Sequence, residues 1–291
     1  MLVARSAAVC HDLLSSRCPR LSRNPRSPGR TRRMEVPRLN CPPSAELKPV
    51  IPSPVPGLRP LISSYVIAEM APINDRTLSI LITGFGPFSV KKVNVKIETN
   101  PSSELIRFLP DTIALPDGPD APLTKSRDNH VSYPGLKAMV EKVYEEQEWD
   151  YIFHCGASAA RPKVSIETRA RRSGYELPDT DGLVTPGGFA VPKGEGEQEY
   201  ATAIDVPALV AHLEGKGWEG KVQVSNDAGL YLCEWTYFHS LKAATGKKTK
   251  VLFIHVPSPG GELEWTHEKL SACVKDAMTW VIMKGEEASS A

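Results

Sequence analysis

The sequence has no cysteines at metal-ligand spacing, no phosphate-cradling glycine loop, no internal repeat and no long uncharged apolar run. Each absence removes a class of function. Of the six cysteines, Cys10, Cys18 and Cys41 lie in the first 69 residues, which leaves Cys155, Cys233 and Cys273. An odd number, widely spaced, suits neither a disulfide framework nor a zinc site and agrees with a reducing compartment. Thr83-Gly84-Phe85-Gly86 lacks the G-x-G-x-x-G spacing and the lysine of a P-loop. Leu263 to Met283 is amphipathic and carries charges, so it reads as a packing helix rather than a membrane span.

Charge is also scarce in total: +1 over 291 residues. That near-neutrality hides two different stretches. Residues 1–69 hold 11 of the 26 prolines and 11 Lys/Arg against 4 Asp/Glu, a balance of about +7. The remainder carries 24 Lys/Arg against 30 Asp/Glu, a balance of about −6. The first stretch has no sustained periodicity and is expected to be a disordered, basic, Pro-rich extension. Arg- and Ser-rich, acid-poor composition also marks organelle transit peptides. The basic residues lack the interleaved aromatics of a nucleic-acid surface, so no nucleic-acid partner is expected.

Residues 70–291 are long enough for one α/β domain with a full core. Apolar spacing predicts strands at 77–84, 150–157, 164–171, 221–226 and 251–256, and helices at 101–109, 134–147, 205–215, 228–245 and 262–283. Alternation of the two predicts a three-layer α/β/α fold, a mostly parallel twisted sheet flanked by helices. The polar, Pro- and Asp-containing stretch 110–130 reads as a loop insertion. The Gly/Pro-rich stretch 173–200 reads as a flap near the site.

The chemistry is concentrated in Val224-Ser225-Asn226-Asp227-Ala228-Gly229-Leu230-Tyr231-Leu232-Cys233. Here one cysteine falls just inside an expected helix that follows a strand. Ser225, Asn226 and Asp227 suit a helix cap. A thiol near a helix N-terminus meets unpaired N–H groups and the positive end of the macrodipole, which favours the thiolate. His255 stands near the end of the apolar run Val251–Val256, where open α/β sheets place their ligands. A histidine there can serve a thiol as general base. Glu167, in the alternating run Val164–Arg169, can orient the imidazole or can pair with Arg169 or Arg171. For Cys233 and His255 the other reading is plain packing in the core. His130, His154, His239 and His267 carry no partner pattern, with His154 the one that neighbours the turn before Glu167.

These segments together resemble pyroglutamyl-peptidase I, the cysteine peptidase family C15, in a eukaryotic, fungal-like form. S-N-D-A-G-x-Y-x-C matches the family's cysteine motif and Phe253-Ile254-His255-Val256-Pro257 its histidine motif. Thr83-Gly84-Phe85-Gly86-Pro87-Phe88 matches the opening T-G-F-x-P-F. Asn100-Pro101-Ser102-Ser103 resembles the start of the family's first helix, and Val131-Ser132-Tyr133 its V-S-Y. The likeness runs from about Thr77 to about Lys284, in the family's order.

The resemblance implies that Cys233 is the nucleophile, His255 the general base and Glu167 the carboxylate that orients it. It implies that Phe85, Phe88, Leu177, Tyr231 and Leu232 line an apolar slot for a lactam ring. It implies hydrolysis of an N-terminal pyroglutamyl residue through a thioacyl intermediate, with no metal, no other cofactor and no membrane partner. It implies a cytoplasmic enzyme, or a mitochondrial one if residues 1–69 are a transit peptide. Family members tend to begin near Met70-Ala71-Pro72, so an over-extended gene model is the third expectation for that stretch. The chain departs from the family pattern at Ser89-Val90, at Ala157-Ser158-Ala159-Ala160, at Glu176 and at Glu234. Two alternatives stand beside the peptidase: a catalytically weak pyroglutamyl-binding protein, motivated by Glu176 and the altered turn Ala157-Ser158-Ala159-Ala160, and a phosphorylase-type enzyme on the same architecture.

Overall fold

A computed structural model describes residues 77–90, 95–115, 119–158 and 160–290. The expectations for residues 1–69 lie outside them. Seven strands form the main sheet: β1 (Ile80–Phe85), β4 (Thr112–Ile113), β5 (Ala121–Asn129), β6 (Tyr151–Ala157), β7 (Val164–Glu167), β10 (Val222–Ser225) and β11 (Lys250–Val256). Their order across the sheet is β10-β7-β11-β6-β1-β5-β4. Two short ribbons stand apart, β2 (Phe88–Val90) with β3 (Val95–Ile97), and β8 (Arg169–Arg171) with β9 (Glu199–Ala201). The helices are α1 (Pro101–Arg107), α2 (Tyr133–Glu146), α3 (Val206–Leu213), α4 (Leu232–Ala244) and α5 (His267–Ser290).

Period-2 alternation sorts each central strand between two cores. On β6, Tyr151, Phe153 and Cys155 face one side, with Leu105 and Ile106 of α1, Leu209 of α3 and Leu270 to Ile282 of α5. Ile152 faces the other side, with Leu136 of α2 and Trp235, Phe238 and Leu241 of α4. On β11, Leu252, Ile254 and Val256 join the first core and Val251 and Phe253 the second. Burial on both faces is why these strands read as continuous apolar runs. The three-layer, mostly parallel architecture agrees with the sequence reading.

Four local expectations change. The supposed loop 110–130 contains β5, a nine-residue strand parallel to β1 with Leu123 opposite Ile80. It escapes a hydrophobicity reading because only Ala121 and Leu123 reach the core, while pairing with β1 carries the polar run that follows. Lys125 on this strand donates to the Leu109 carbonyl at 2.6 Å and pairs with Asp111 at 2.7 Å.

The single strand expected at 164–171 is two. At Thr168 the chain changes partners: its N–H donates to Ser225 O at 2.8 Å and its carbonyl accepts from Thr202 N at 3.0 Å. β7 also runs antiparallel to β11, with Glu167 opposite Phe253 and Ser165 opposite His255.

Helix α4 starts at Leu232, not Ala228, because Gly229 (φ +98°) and Leu230 (φ +49°) turn the backbone left-handed first. Ser225 and Asp227 therefore cap the turn instead of the helix, with Gly229 N donating to Asp227 Oδ1 at 3.2 Å. Helix α5 begins five residues later than the expected 262, after a Gly260–Trp265 bridge.

Segment 173–200 is a packed cover. Tyr175 is fully buried, donates to Arg171 O at 2.6 Å and meets Trp235 edge-on with centroids 5.5 Å apart. Asp179 is buried and accepts from the N–H groups of Asp181, Leu183 and Tyr133.

Candidate active site

Three elements bring one reactive side chain each to the second core. His255 lies near the carboxyl end of β11, directly beside Gly156 of β6. A Cβ on Gly156 would stand 2.8 Å from the Cys233 sulfur and 2.8 Å from Phe253 Cζ. Glycine is thus what lets the first turn of α4 seat its thiol against the sheet. Cys233 is the second residue of that helix and is partly exposed. The N–H groups of a first helical turn have no acceptor within the helix and are left available at the end that carries the sulfur.

His255 is buried, and its Nδ1 lies 2.8 Å from Glu167 Oε1. A carboxylate offers only acceptors, so Nδ1 carries the proton and Nε2 is left for the thiol. The Cys233 sulfur lies over Gly156, the residue directly opposite His255 on the neighbouring strand. Burial alone would lower the imidazole pKa, but the adjoining Cys233 sulfur and the Glu167 carboxylate outweigh it and raise it to about 9. Burial likewise works against a charged Glu167. Hydrogen bonds from His255 and Ser225 and the nearby Arg161 charge overcome it and hold the carboxyl below its ordinary value. An ion-paired thiolate–imidazolium backed by a carboxylate is a competent nucleophile–base arrangement.

The expected pocket residues are placed differently from one another. Phe85 is buried with its ring centroid 6.1 Å from Phe253, and Phe88, Tyr231 and Cys233 pack partly buried against the same cluster. The T-G-F-G-P-F turn is fixed by the N-P-S-S segment. Asn100 Nδ2 donates to Gly86 O at 3.0 Å, and Phe85 N donates to Ser102 Oγ at 3.0 Å. Asn100 also caps α1 by accepting from Ser102 N. The two motifs are halves of one polar knot. Leu177 is half-buried on the cover, whose backbone is tied in by Tyr133 to Leu177 O at 2.9 Å and Tyr231 to Pro178 O at 3.0 Å. Leu232 is 1% exposed and belongs to the core beneath the site, so its side chain contributes packing rather than pocket wall.

Several residues escaped the sequence reading. Arg161, not Arg169 or Arg171, pairs with Glu167, at 2.7 Å. Its lone charge in a turn of small residues, six before Glu167, was the available signal. Arg169 pairs with Glu199, and Arg171 with Glu234 and Asp227. Glu234, noted only as a departure after the cysteine, is fully buried. It accepts from the Arg171 Nε at 2.7 Å and from Leu230 N at 2.8 Å, so it holds the left-handed turn in front of Cys233. Glu176 is exposed. His154 is structural: its Nδ1 lies 2.7 Å from Thr83 Oγ1 and burial pushes its pKa down to about 3.

Among the described residues no group of three or more His, Cys, Asp or Glu could hold a metal ion, and no helix is long and apolar enough to cross a membrane. The family model for pyroglutamyl peptidase matches residues 78–283. Pyrrolidone-carboxylate peptidase of Thermococcus onnurineus is 33% identical over 186 residues, covering 62% of this chain and 84% of its own. Human pyroglutamyl-peptidase 1 is 27% identical over 187 residues, covering 62% and 80%. The solved structure of a mutant pyrrolidone carboxyl peptidase from Pyrococcus furiosus superposes with a TM-score of 0.59 at 25% identity, over 71% of this chain and 99% of that one. Pyroglutamyl peptidase I of Bacillus amyloliquefaciens, at 19% identity and a TM-score of 0.59 over 70% and 96%, shares the fold. Neither the phosphorylase nor the binding-only alternative is favoured by these relatives. With the family's segments knotted around a thiol, an imidazole and a carboxylate, and its model matched over most of the chain, this chain belongs to the pyroglutamyl peptidase family.

Proposed function

We propose that this chain is a cysteine exopeptidase that removes an N-terminal pyroglutamyl residue from peptides, with Cys233 as nucleophile, His255 as acid–base and Glu167 as its orienting carboxylate. The observation that carries this reading is the convergence, at the carboxyl end of the sheet, of the Cys233 sulfur seated against Gly156, of His255 on the neighbouring strand directly opposite Gly156, and of the buried Glu167 carboxylate on the His255 Nδ1.

A pyroglutamyl residue is a neutral lactam without a free amine. A compact, mainly apolar slot suits it, and Phe85, Phe88 and Tyr231 supply rings on the Cys233 side of the core. The thiolate attacks the carbonyl carbon and forms a C–S bond. The resulting oxyanion is met by N–H groups at the start of α4. Collapse expels the amine of the next residue, which takes the proton from imidazolium His255. His255 then removes a proton from water, the hydroxide attacks the thioester, and the sulfur leaves as thiolate, releasing pyroglutamate. The substrates are N-terminally pyroglutamylated peptides. A cytoplasmic setting fits a free catalytic thiol beside buried Cys155 and Cys273.

The test is release of aminomethylcoumarin from pyroglutamyl-aminomethylcoumarin by the full chain. Turnover abolished by iodoacetamide and by Cys233→Ala is the expected result. Turnover that survives Cys233→Ala in a folded protein would remove Cys233 from the reaction.

A further inference from the structure

The catalytic carboxylate has a second cationic partner that the reaction scheme does not use. Arg161 lies in the connection between β6 and β7, with its side chain one-fifth exposed against a fully buried Glu167. Its Nη1 donates to Glu167 Oε1 at 2.7 Å, the same oxygen that His255 Nδ1 contacts at 2.8 Å. Nη1 also reaches Ser225 Oγ at 3.2 Å, and Nη2 donates to the Asp227 carbonyl. One guanidinium therefore spans the catalytic carboxylate on β7 and the backbone that leads from β10 into the Cys233 turn.

We propose that Arg161 is a positioning residue for the hydrolysis: it locks Glu167 against His255, ties that carboxylate to the turn carrying Cys233, and balances the charge of the buried catalytic set. The proposal rests on the peptidase reading above. Its geometric part is the two-sided grip. A planar fork reaches a carboxylate oxygen and a backbone carbonyl at once, which a flexible point charge does not.

The electrostatic part follows from counting charges around His255. In the reactive form that the proposed hydrolysis requires, with the sulfur as thiolate, Cys233 from α4 and Glu167 from β7 are the two anions that face it, and the imidazolium is one cation. His154 on β6 stays neutral, with its pKa held near 3 by burial. The Tyr237 phenol, which donates to Glu167 O at 3.1 Å, is neutral because burial raises its pKa. Asp227, Arg171 and Glu234 form a neighbouring ion-pair cluster, whose Asp227 carboxyl, against burial, is held low first by Arg171 and also by the Arg161 charge. Arg161 is then the cation that brings thiolate, imidazolium and carboxylate to neutrality. Removing it makes every proton in the set harder to lose.

The experiment is the pH profile of kcat/KM for pyroglutamyl-aminomethylcoumarin with the full chain, Arg161→Gln and Arg161→Lys, and with Cys233→Ala as reference. For Arg161→Gln both limbs of the bell move to higher pH by about 1 unit, the size expected for loss of one nearby opposite charge. Its plateau kcat falls about 10-fold while KM changes little, as expected when alignment rather than binding is lost. A purely structural arginine would lower the folded fraction and leave the limbs where they are, and that outcome overturns the proposal. If Arg161→Gln does not fold, Arg161→Lys decides. It keeps the charge and loses the fork, so its limbs stay in place while kcat falls several-fold; displaced limbs or an unchanged kcat overturn the proposal. Failure of the peptidase reading itself is separately visible, as turnover that persists in Cys233→Ala.

Discussion

At the scale of single residues the site depends on contacts that leave no spare room. Gly156→Ala would drive a methyl to within 2.8 Å of both the Cys233 sulfur and the Phe253 ring. Overpacking of this kind costs about 1–3 kcal/mol, and here it also displaces the nucleophile. We expect kcat to fall by about 100-fold, the scale for an ångström of misplacement at a reacting atom, with a modest fall in Tm. An activity assay beside a thermal melt checks both, and a fully active Gly156→Ala would contradict the close seating of α4 on β6. Protonation has an equally definite sign. His255 is raised to about 9, so its imidazolium survives through neutral pH and is lost as pH climbs through about 9. Activity that needs this proton for the leaving amine should decline on the alkaline side there. In Cys233→Ala the thiolate that helps hold the proton is gone. The His255 pKa should then drop below that value, which an NMR titration of the imidazole protons would show; no drop would mean that thiol and ring are uncoupled.

Whole elements show which parts of the architecture the sequence made legible. Central strands β6 and β11 were readable because both faces are buried and apolarity alone marks them. His255 and Glu167 were readable because each lies at the end of a buried strand, and Cys233 because it falls at a strand-to-helix junction. Strand β5 was not, since its placement rests on backbone pairing to β1 and its side chains are mostly polar. The break at Thr168 was hidden for a different reason. Residues 164–171 alternate without interruption, and only the change of hydrogen-bond partner splits them. The start of α4 was misplaced by four residues because left-handed Leu230 has no local signature. A buried glutamate three residues into the helix stabilises it from outside the turn. That gives an element-level expectation. Glu234→Ala strips the Arg171 side chain and Leu230 N–H of their shared acceptor and should cost about 2–3 kcal/mol, the range for hydrogen bonds to a charged group. Denaturant unfolding measures it, and a loss below about 0.5 kcal/mol, the level of ordinary surface substitutions, would show that the turn holds itself.

For the described molecule as a whole, two cores divide the chemistry. The core between the sheet and α1, α3 and α5 buries Cys155 and Cys273, and burial raises both thiols, Cys155 to about 12. The core beneath α2 and α4 opens at Cys233. Brief iodoacetamide treatment of native protein should modify Cys233 and spare Cys155 and Cys273 until denaturant is added, as peptide mapping by mass spectrometry would report. Modification of Cys155 in native protein would contradict the sealed first core. The strand order has a consequence for how such a molecule comes into being. β11 is the last strand in sequence yet lies between β7 and β6, the two halves of the sheet laid down before it. A ribosome that has released only the chain through β10 has therefore made two half-sheets, each with a raw edge where β11 belongs, and exposed edges invite pairing with other chains. The same late strand delivers His255. Synthesis thus withholds hydrolytic capacity from every product that stops short of β11, and the step that closes the sheet is also the step that arms it.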